Sequence, residues 1–285
     1  MPARRSIRRI PALAAGVIAG SVIWPILADA ILVRPAAVFI DHRARSADLY
    51  LVNGGDRPEE VSVELRFGYP DADSAGDAYI RFFETAPAGA RSAAEWVRAV
   101  PPSVVVPPGA RRRVRLVAAP PAGLPDGEYW SRIVVGSRRM APPGAPARTR
   151  VSGRIDVAVR TVIALFYRKG AVRTGLALRG FTAALRGDSL ELWMDLAGSG
   201  DAAWLGTAKV SLADARDRAP RGEWDTQLAV YAPVRRRLAF PVGPLAPGAY
   251  TVRLLLSTSR DDIPRARILP APAIERTAAV TVAAR

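Results

Sequence analysis

The chain has 285 residues, 49% of them hydrophobic, enough for two ordinary domains, and its 23 Gly and 25 Pro exclude a mainly helical protein. It has no cysteine, which excludes disulfide staples and Cys-ligated structural zinc. The formal net charge is +15, and about +12 without residues 1–30. Nearly all of the positive charge is arginine, since Lys169 and Lys209 are the only lysines. Such a basic balance raises nucleic acid as a partner, but an exported chain seldom meets any, and an arginine-favouring composition explains the charge as well. No nucleic-acid role is assigned. The charge reads as a solvated surface with attraction to acidic partners.

Arg4, Arg5, Arg8 and Arg9 form a basic head, Ile10 to Leu27 an apolar stretch broken by Pro11 and Pro25, and Ala28-Asp-Ala30 a small-residue cleavage site. This is the pattern of an export signal over residues 1–30, cut before Ile31. An uncleaved membrane anchor is the alternative, because the stretch is nearly long enough to span. No later segment is apolar enough to cross a membrane, so no stable insertion is expected after cleavage.

Two strands are expected next, Val33–Ile40 and Ala47–Val52, around the polar turn that starts at Asp41. After the turn signal Asn53-Gly-Gly55, the run Val61–Phe67 alternates apolar and polar, the period of a half-buried strand. Gly68 to Gly89 reads as a surface excursion around a short strand at Tyr79–Phe83. Further strands are expected around Trp96–Val100, Val104–Val106 and Arg113–Val117. Leu124-Pro-Asp-Gly-Glu-Tyr129 and Leu245-Ala-Pro-Gly-Ala-Tyr250 share the spacing L-x-x-G-x-Y ahead of an apolar strand. That spacing matches a tyrosine corner, in which the phenol closes a backbone hydrogen bond at a chain reversal of an immunoglobulin-like sandwich. Two such corners, about 120 residues apart, predict two sandwiches in tandem.

Gly136 to Ser152 reads as a loop. It leads into the longest alternating segment of the chain, with Ile155, Val157, Val159, Thr161, Ile163 and Leu165 on one face and Asp156, Ala158 and Arg160 on the other. Beyond Thr161 the run is apolar on both faces through Phe166. A strand of this length exceeds the usual ~5–6 residues, so part of it is expected at a sheet edge with backbone groups on offer. The second half repeats the logic, with strands at Leu190–Leu196, Ala203–Leu212, Leu228–Tyr231, Arg237–Phe240, Tyr250–Leu256 and Ala278–Ala283, and a turn at Gly198-Ser-Gly-Asp201. No convincing amphipathic helix is found. The expected organisation is all-β: a signal over 1–30, an immunoglobulin-like domain over 31–170 and a second over 171–285.

Several of these pieces, in order, resemble the periplasmic chaperones of the chaperone–usher pilus pathway, the PapD-like family. They are Val38-Phe39, Leu49–Asn53, Pro101-Pro102, Val106-Pro-Pro-Gly-Ala-Arg-Arg-Arg-Val-Arg-Leu116, Leu124-Pro-Asp-Gly-Glu-Tyr-Trp-Ser131 and Ile163-Ala-Leu-Phe-Tyr-Arg-Lys169. Together they span most of residues 33–170, and the second domain resembles the family only loosely. The resemblance implies a boomerang arrangement of the two domains and a periplasmic location. It also implies donor-strand complementation of pilus or coat subunits, and an outer-membrane usher as delivery partner. Such a chaperone lends its G1 strand to an incomplete subunit sandwich. By position, Ile155, Val157 and Val159 would enter the subunit's groove, a burial worth ~5–8 kcal/mol before association costs of similar size.

The family holds the subunit's terminal carboxylate with an Arg and a Lys in the cleft between the domains. Here those positions are Ala36 and Ala164. Arg34 and Arg160, on neighbouring turns of the same faces, are the candidate replacements.

Neither a catalytic constellation nor a cofactor or metal site emerges. His42 is the only histidine, no nucleophile motif accompanies it, and the adjacent acidic pairs Glu59-Glu60 and Asp261-Asp262 read as solvated surface. The alternative to a chaperone is an exported adhesion or surface-binding module with a tryptophan platform drawn from Trp96, Trp130, Trp193, Trp204 and Trp224. Whether the row ending at Val159 lies on an accessible edge discriminates the two.

Overall fold

The computed structural model describes residues 31–140 and 159–283. These form eighteen strands and a single 3-10 turn at Arg265–Arg267, and among them no helix is long and apolar enough to cross a membrane. The first half contributes β1 (Ile31–Arg34), β2 (Ala37–Asp41), β3 (Ser46–Asn53), β4 (Glu59–Arg66), β5 (Gly68–Ala72), β6 (Ala78–Phe82), β7 (Val97–Val100), β8 (Ser103–Val106), β9 (Arg111–Ala118), β10 (Gly127–Arg139) and β11 (Val159–Lys169). The second contributes β12 (Thr174–Arg186), β13 (Ser189–Gly200), β14 (Trp204–Asp214), β15 (Pro220–Val230), β16 (Val234–Pro241), β17 (Gly248–Ser257) and β18 (Ile274–Val282).

Two sandwiches result, as expected. In the first, the sheet β1-β3-β9-β7 faces the sheet β2-β11-β10-β4-β8 across a core that includes Leu49, Leu51, Val114, Leu116, Ile133 and Leu165. In the second, β12-β13-β16 faces β15-β14-β17-β18 across Leu190, Leu192, Met194, Trp204, Val252 and Leu254. Alternation along each strand decides which side chains point inward. Both tyrosine corners close: the Tyr129 hydroxyl donates to the Pro125 carbonyl at 2.9 Å, and Tyr250 to Ala246 at 2.8 Å. Burial pushes the Tyr129 phenol above its ordinary pKa, so it stays a donor.

Three local expectations need correction. Residues 136–139, expected in a loop, continue β10, with Arg139 opposite Glu59 on β4. The single strand expected over Val33–Ile40 is two strands in two sheets: β1 pairs with β3, and β2 pairs in parallel with β11. Pro35 sits at the crossing, where it has no N–H to give a ladder. Gly198–Gly200 are not a turn but the last residues of β13, with Gly198 opposite Leu176. The Gly68–Gly89 excursion proves to be a β5–β6 hairpin that reaches the second sandwich, where the Arg237 N–H donates to the Gly76 carbonyl at 2.9 Å and the Arg237 guanidinium grips Asp77 at 3.0 Å.

Candidate functional site

The crossing at Pro35 sets the geometry of β11. On one side β11 pairs with β10 along its whole described length, Val159 opposite Ser137 through Lys169 opposite Gly127. On the other side β2 accompanies it only from Ala164 to Arg168. Among the described residues, Val159–Ile163 therefore have a neighbour on one side alone. Burial follows this pattern. On the face that carries Tyr167, Leu165 and Ile163, these three are buried in the first core, Thr161 is half-buried and Val159 is 37% exposed. Val162, on the opposite face, is 39% exposed. Ile155 and Val157 lie outside the described residues.

The other face of β11 and β10 turns toward the second sandwich. Phe39 and Phe166 stack with centroids 4.8 Å apart, and Tyr231 lies parallel to Phe166 and edge-on to Trp130 at 4.9 Å. Ala203, Leu205 and Ile263 complete this interface from the second half. Beside the aromatics is a buried ion pair. Arg168 Nε donates to Glu128 Oε2 at 2.7 Å, and Glu128 Oε1 also accepts from Trp130 Nε1 at 2.8 Å and from the Ala203 N–H at 3.0 Å. Arg168 Nη1 reaches the Arg267 carbonyl at 2.7 Å. Three donors, two of them distant in sequence, thus converge on a carboxylate that has no solvent exposure. A buried charge is tolerated only when it is paired and hydrogen-bonded in this way.

Arg132 sits differently. It stands on β10 directly opposite Ala164. It is 5% exposed, its Nε donates to the Gly68 carbonyl at 3.1 Å, and its guanidinium carbon lies 5.0 Å from the Tyr231 ring centre. Its Nη2 makes no hydrogen bond of ordinary geometry among the described residues, and the guanidinium lies against the ring and hydroxyl of Tyr231. A buried guanidinium remains charged, and Tyr231 offsets part of the cost of that N–H. Burial raises the Tyr231 phenol above its ordinary pKa, and the neighbouring Arg132 charge opposes that rise.

The two arginines singled out in the sequence occupy different sheets. Arg34 is exposed at the end of β1 opposite Tyr50, just before the crossing, and Arg160 is exposed on β11 opposite Gly136, on the same face as Ala164. Sequence reasoning missed Arg132 and Glu128. The available signal was a single charge inside the apolar run Trp130–Val135, and an acid directly before the corner tyrosine. The tryptophans are spread over different environments. Trp96 packs on the first core, Trp204 and Trp224 belong to the second, Trp130 lies in the interface, and Trp193 lies under Arg235. His42 Nδ1 meets the Tyr167 hydroxyl. No cluster of three metal-ligating side chains occurs among the described residues.

No protein-family model matches the chain, and no curated protein does. Among solved structures, it is similar to the YadV chaperone at 16% identity and a TM-score of 0.42, covering 87% of this chain and 98% of that one. It is also similar to the E. coli chaperone DraB, at 15% identity and a TM-score of 0.41 over 87% and 95% of the two chains. The Pseudomonas aeruginosa CupB2 chaperone aligns at 13% identity and 0.37, over 88% and 100%.

Proposed function

We propose that this protein is a periplasmic chaperone that stabilises pilus or coat subunits by lending them the outer half of β11. The observation that carries the reading is the one-sided pairing of Val159–Ile163, an apolar edge that emerges from the core with Val159 exposed. A strand lent this way offers main-chain hydrogen bonds for affinity and alternate side chains for fit. Ile155 and Val157 continue the same alternation in the sequence and would fill the subunit's groove ahead of Val159. The Leu165-Phe-Tyr-Arg168 run at the buried end of the strand supports the same assignment, since it carries the resemblance noted above. In this reading residues 1–30 direct export, residues 31–170 form the lending domain, residues 171–285 form the second wall of the cleft, and an outer-membrane usher receives the complex. No catalytic step is involved.

The subunit's terminal carboxylate would be met by arginines around Ala164. In this reading Arg160, on the same face as Ala164, and Arg132, directly opposite it across the ladder, would supply the cations, while Arg34 faces outward from the other sheet and is not among them. An Arg and a carboxylate form the strongest kind of hydrogen-bonded pair. The test is co-expression with candidate subunits from neighbouring genes, scoring complex yield and subunit survival. Val157→Asp and Val159→Asp should each lower the yield at least ~10-fold, because a charge entering an apolar groove is uncompensated. Arg132→Met should weaken the complex more than Arg160→Ser. Yields unchanged by both aspartate variants would end the strand-lending reading.

A further inference from the structure

The outer face of the sheet β1-β3-β9-β7 points away from the first core and concentrates charge of one sign. Pairing places Arg34 opposite Tyr50, Tyr50 opposite Arg113, Asp48 opposite Arg115, and Arg98 opposite Val117, all with the same facing. With Arg111, opposite Val52, the face carries five guanidinium groups and one carboxylate. Elsewhere on the surface arginines meet acids at close range, as in Arg138–Glu60 at 2.7 Å, Arg253–Glu275 at 2.7 Å and Arg260–Asp262 at 2.6 Å. Among the described residues of this face the one ion pair is Arg113–Asp48, at 3.7 Å. The overall excess of arginine does not by itself explain this placement, because this face carries one carboxylate to five guanidinium groups whereas the whole chain carries 26 acidic residues to 41 basic ones.

Apolar side chains stand among these charges. Leu32 is 49% exposed, Val100 55% and Val117 39%, and the Arg111 guanidinium lies 3.7 Å over the Tyr50 ring. We propose that this face docks on an anionic phospholipid bilayer. Two properties favour a membrane over an acidic protein. The guanidinium groups spread over three strands, β1, β9 and β7, as a planar array, with Arg111, Arg113 and Arg115 about 7 Å apart along β9. The exposed aliphatic residues and the tyrosine suit the headgroup–acyl boundary, where basic and apolar groups are accommodated together. Docking here leaves the outer half of β11 free, because that strand belongs to the opposite sheet. The inference is independent of what β11 binds.

The experiment is co-sedimentation of the purified full chain with vesicles of phosphatidylcholine alone or mixed with phosphatidylglycerol, at physiological salt. The wild-type chain is expected on the mixed vesicles and not on phosphatidylcholine alone, and binding should fall at molar salt, where the screening length shrinks from about 8 Å to about 3 Å. The variant R111E/R113E/R115E should bind roughly a hundredfold more weakly, and R34E/R98E, on the flanking strands, should weaken binding independently. The control R179E/R216E/R276E makes the same change in net charge at exposed arginines of the second sandwich and should retain most binding. Equal losses in the control would mean that the vesicles sense only net charge, and the proposal would be wrong. It is equally overturned if the wild-type chain ignores the mixed vesicles, or if soluble polyglutamate binds this face while vesicles do not.

Discussion

Glu128→Gln tests whether the buried ion pair fastens the two sandwiches together. The substitution keeps shape and one carbonyl for Trp130 or the Ala203 N–H, but it removes the charge that meets Arg168. Stranding one member of a buried pair costs about 3–5 kcal/mol. Arg168 is 13% exposed in its side chain, keeps its bond to the Arg267 carbonyl and lies 4.8 Å from the Phe39 ring centre, so the lower end, about 3 kcal/mol, applies here. The assay is urea unfolding of four proteins: wild type, Glu128→Gln, Arg168→Met and the double variant. In the Arg168→Met background Glu128 is itself a buried charge without its cation, so Glu128→Gln should be neutral or stabilising there. A cost within about 0.5 kcal/mol of zero in the wild-type background, or the same cost in both backgrounds, would refute this account of the pair.

Tyr129→Phe and Tyr250→Phe should each cost about 1–1.5 kcal/mol in thermal or urea unfolding, the worth of the corner hydrogen bonds to Pro125 and Ala246. Gly76→Ala should loosen the hairpin clasp. Its φ is +77°, and a Cβ would lie 2.7 Å from Trp193 Cζ3 and 2.8 Å from Arg237 Cβ, so the variant loses at least about 1–2 kcal/mol and shows a wider separation of the sandwiches in solution scattering. Asp77→Asn removes only a surface ion pair from the same clasp and should cost under about 1 kcal/mol. The hydrogen bond from Arg260 holds the Asp262 carboxyl below its ordinary value of 3.8, so the stability it adds is complete above that pH and is lost as the pH falls through the lower folded value. Asp262→Asn should therefore flatten the stability–pH curve only on that acid side, read from urea midpoints.

Strands with unbroken alternation and the paired corner motifs were legible in the sequence because one local rule governs each. Where a second rule intervenes, the pattern dissolves. β12 shows why: Leu176 and Leu178 point into the second core, and so do Phe181, Ala183 and Leu185. The inward set changes from even to odd numbers because Arg179 is an extra residue between Leu178, opposite Leu196, and Gly180, opposite Asp195. A bulge of this kind shifts the phase by one, and with so much Ala and Gly the segment offers little strand propensity to offset the break. The sandwich crossing at Pro35 was hidden for a different reason. Val33–Ile40 is apolar or small apart from Arg34 and so looks like one strand, and only the choice between two sheets, a tertiary matter, divides it.

The same division separates what was readable at the candidate site from what was not. The row ending at Val159 announces itself by period alone, whereas its usefulness depends on which neighbour the chain withholds from it. That is decided more than a hundred residues earlier, at Pro35, where β2 joins β11 only from Ala164 onward. Arg132 follows the same logic. Its own strand gives it no distinction beyond one charge among apolar residues, and its surroundings, the Gly68 carbonyl and the Tyr231 ring, come from distant parts of the chain. Ala164→Lys would place a second cation directly across the ladder from the buried Arg132 and should destabilise the fold, read as a lower urea midpoint, whereas Ala164→Ser, which adds no charge, should leave the midpoint nearly unchanged.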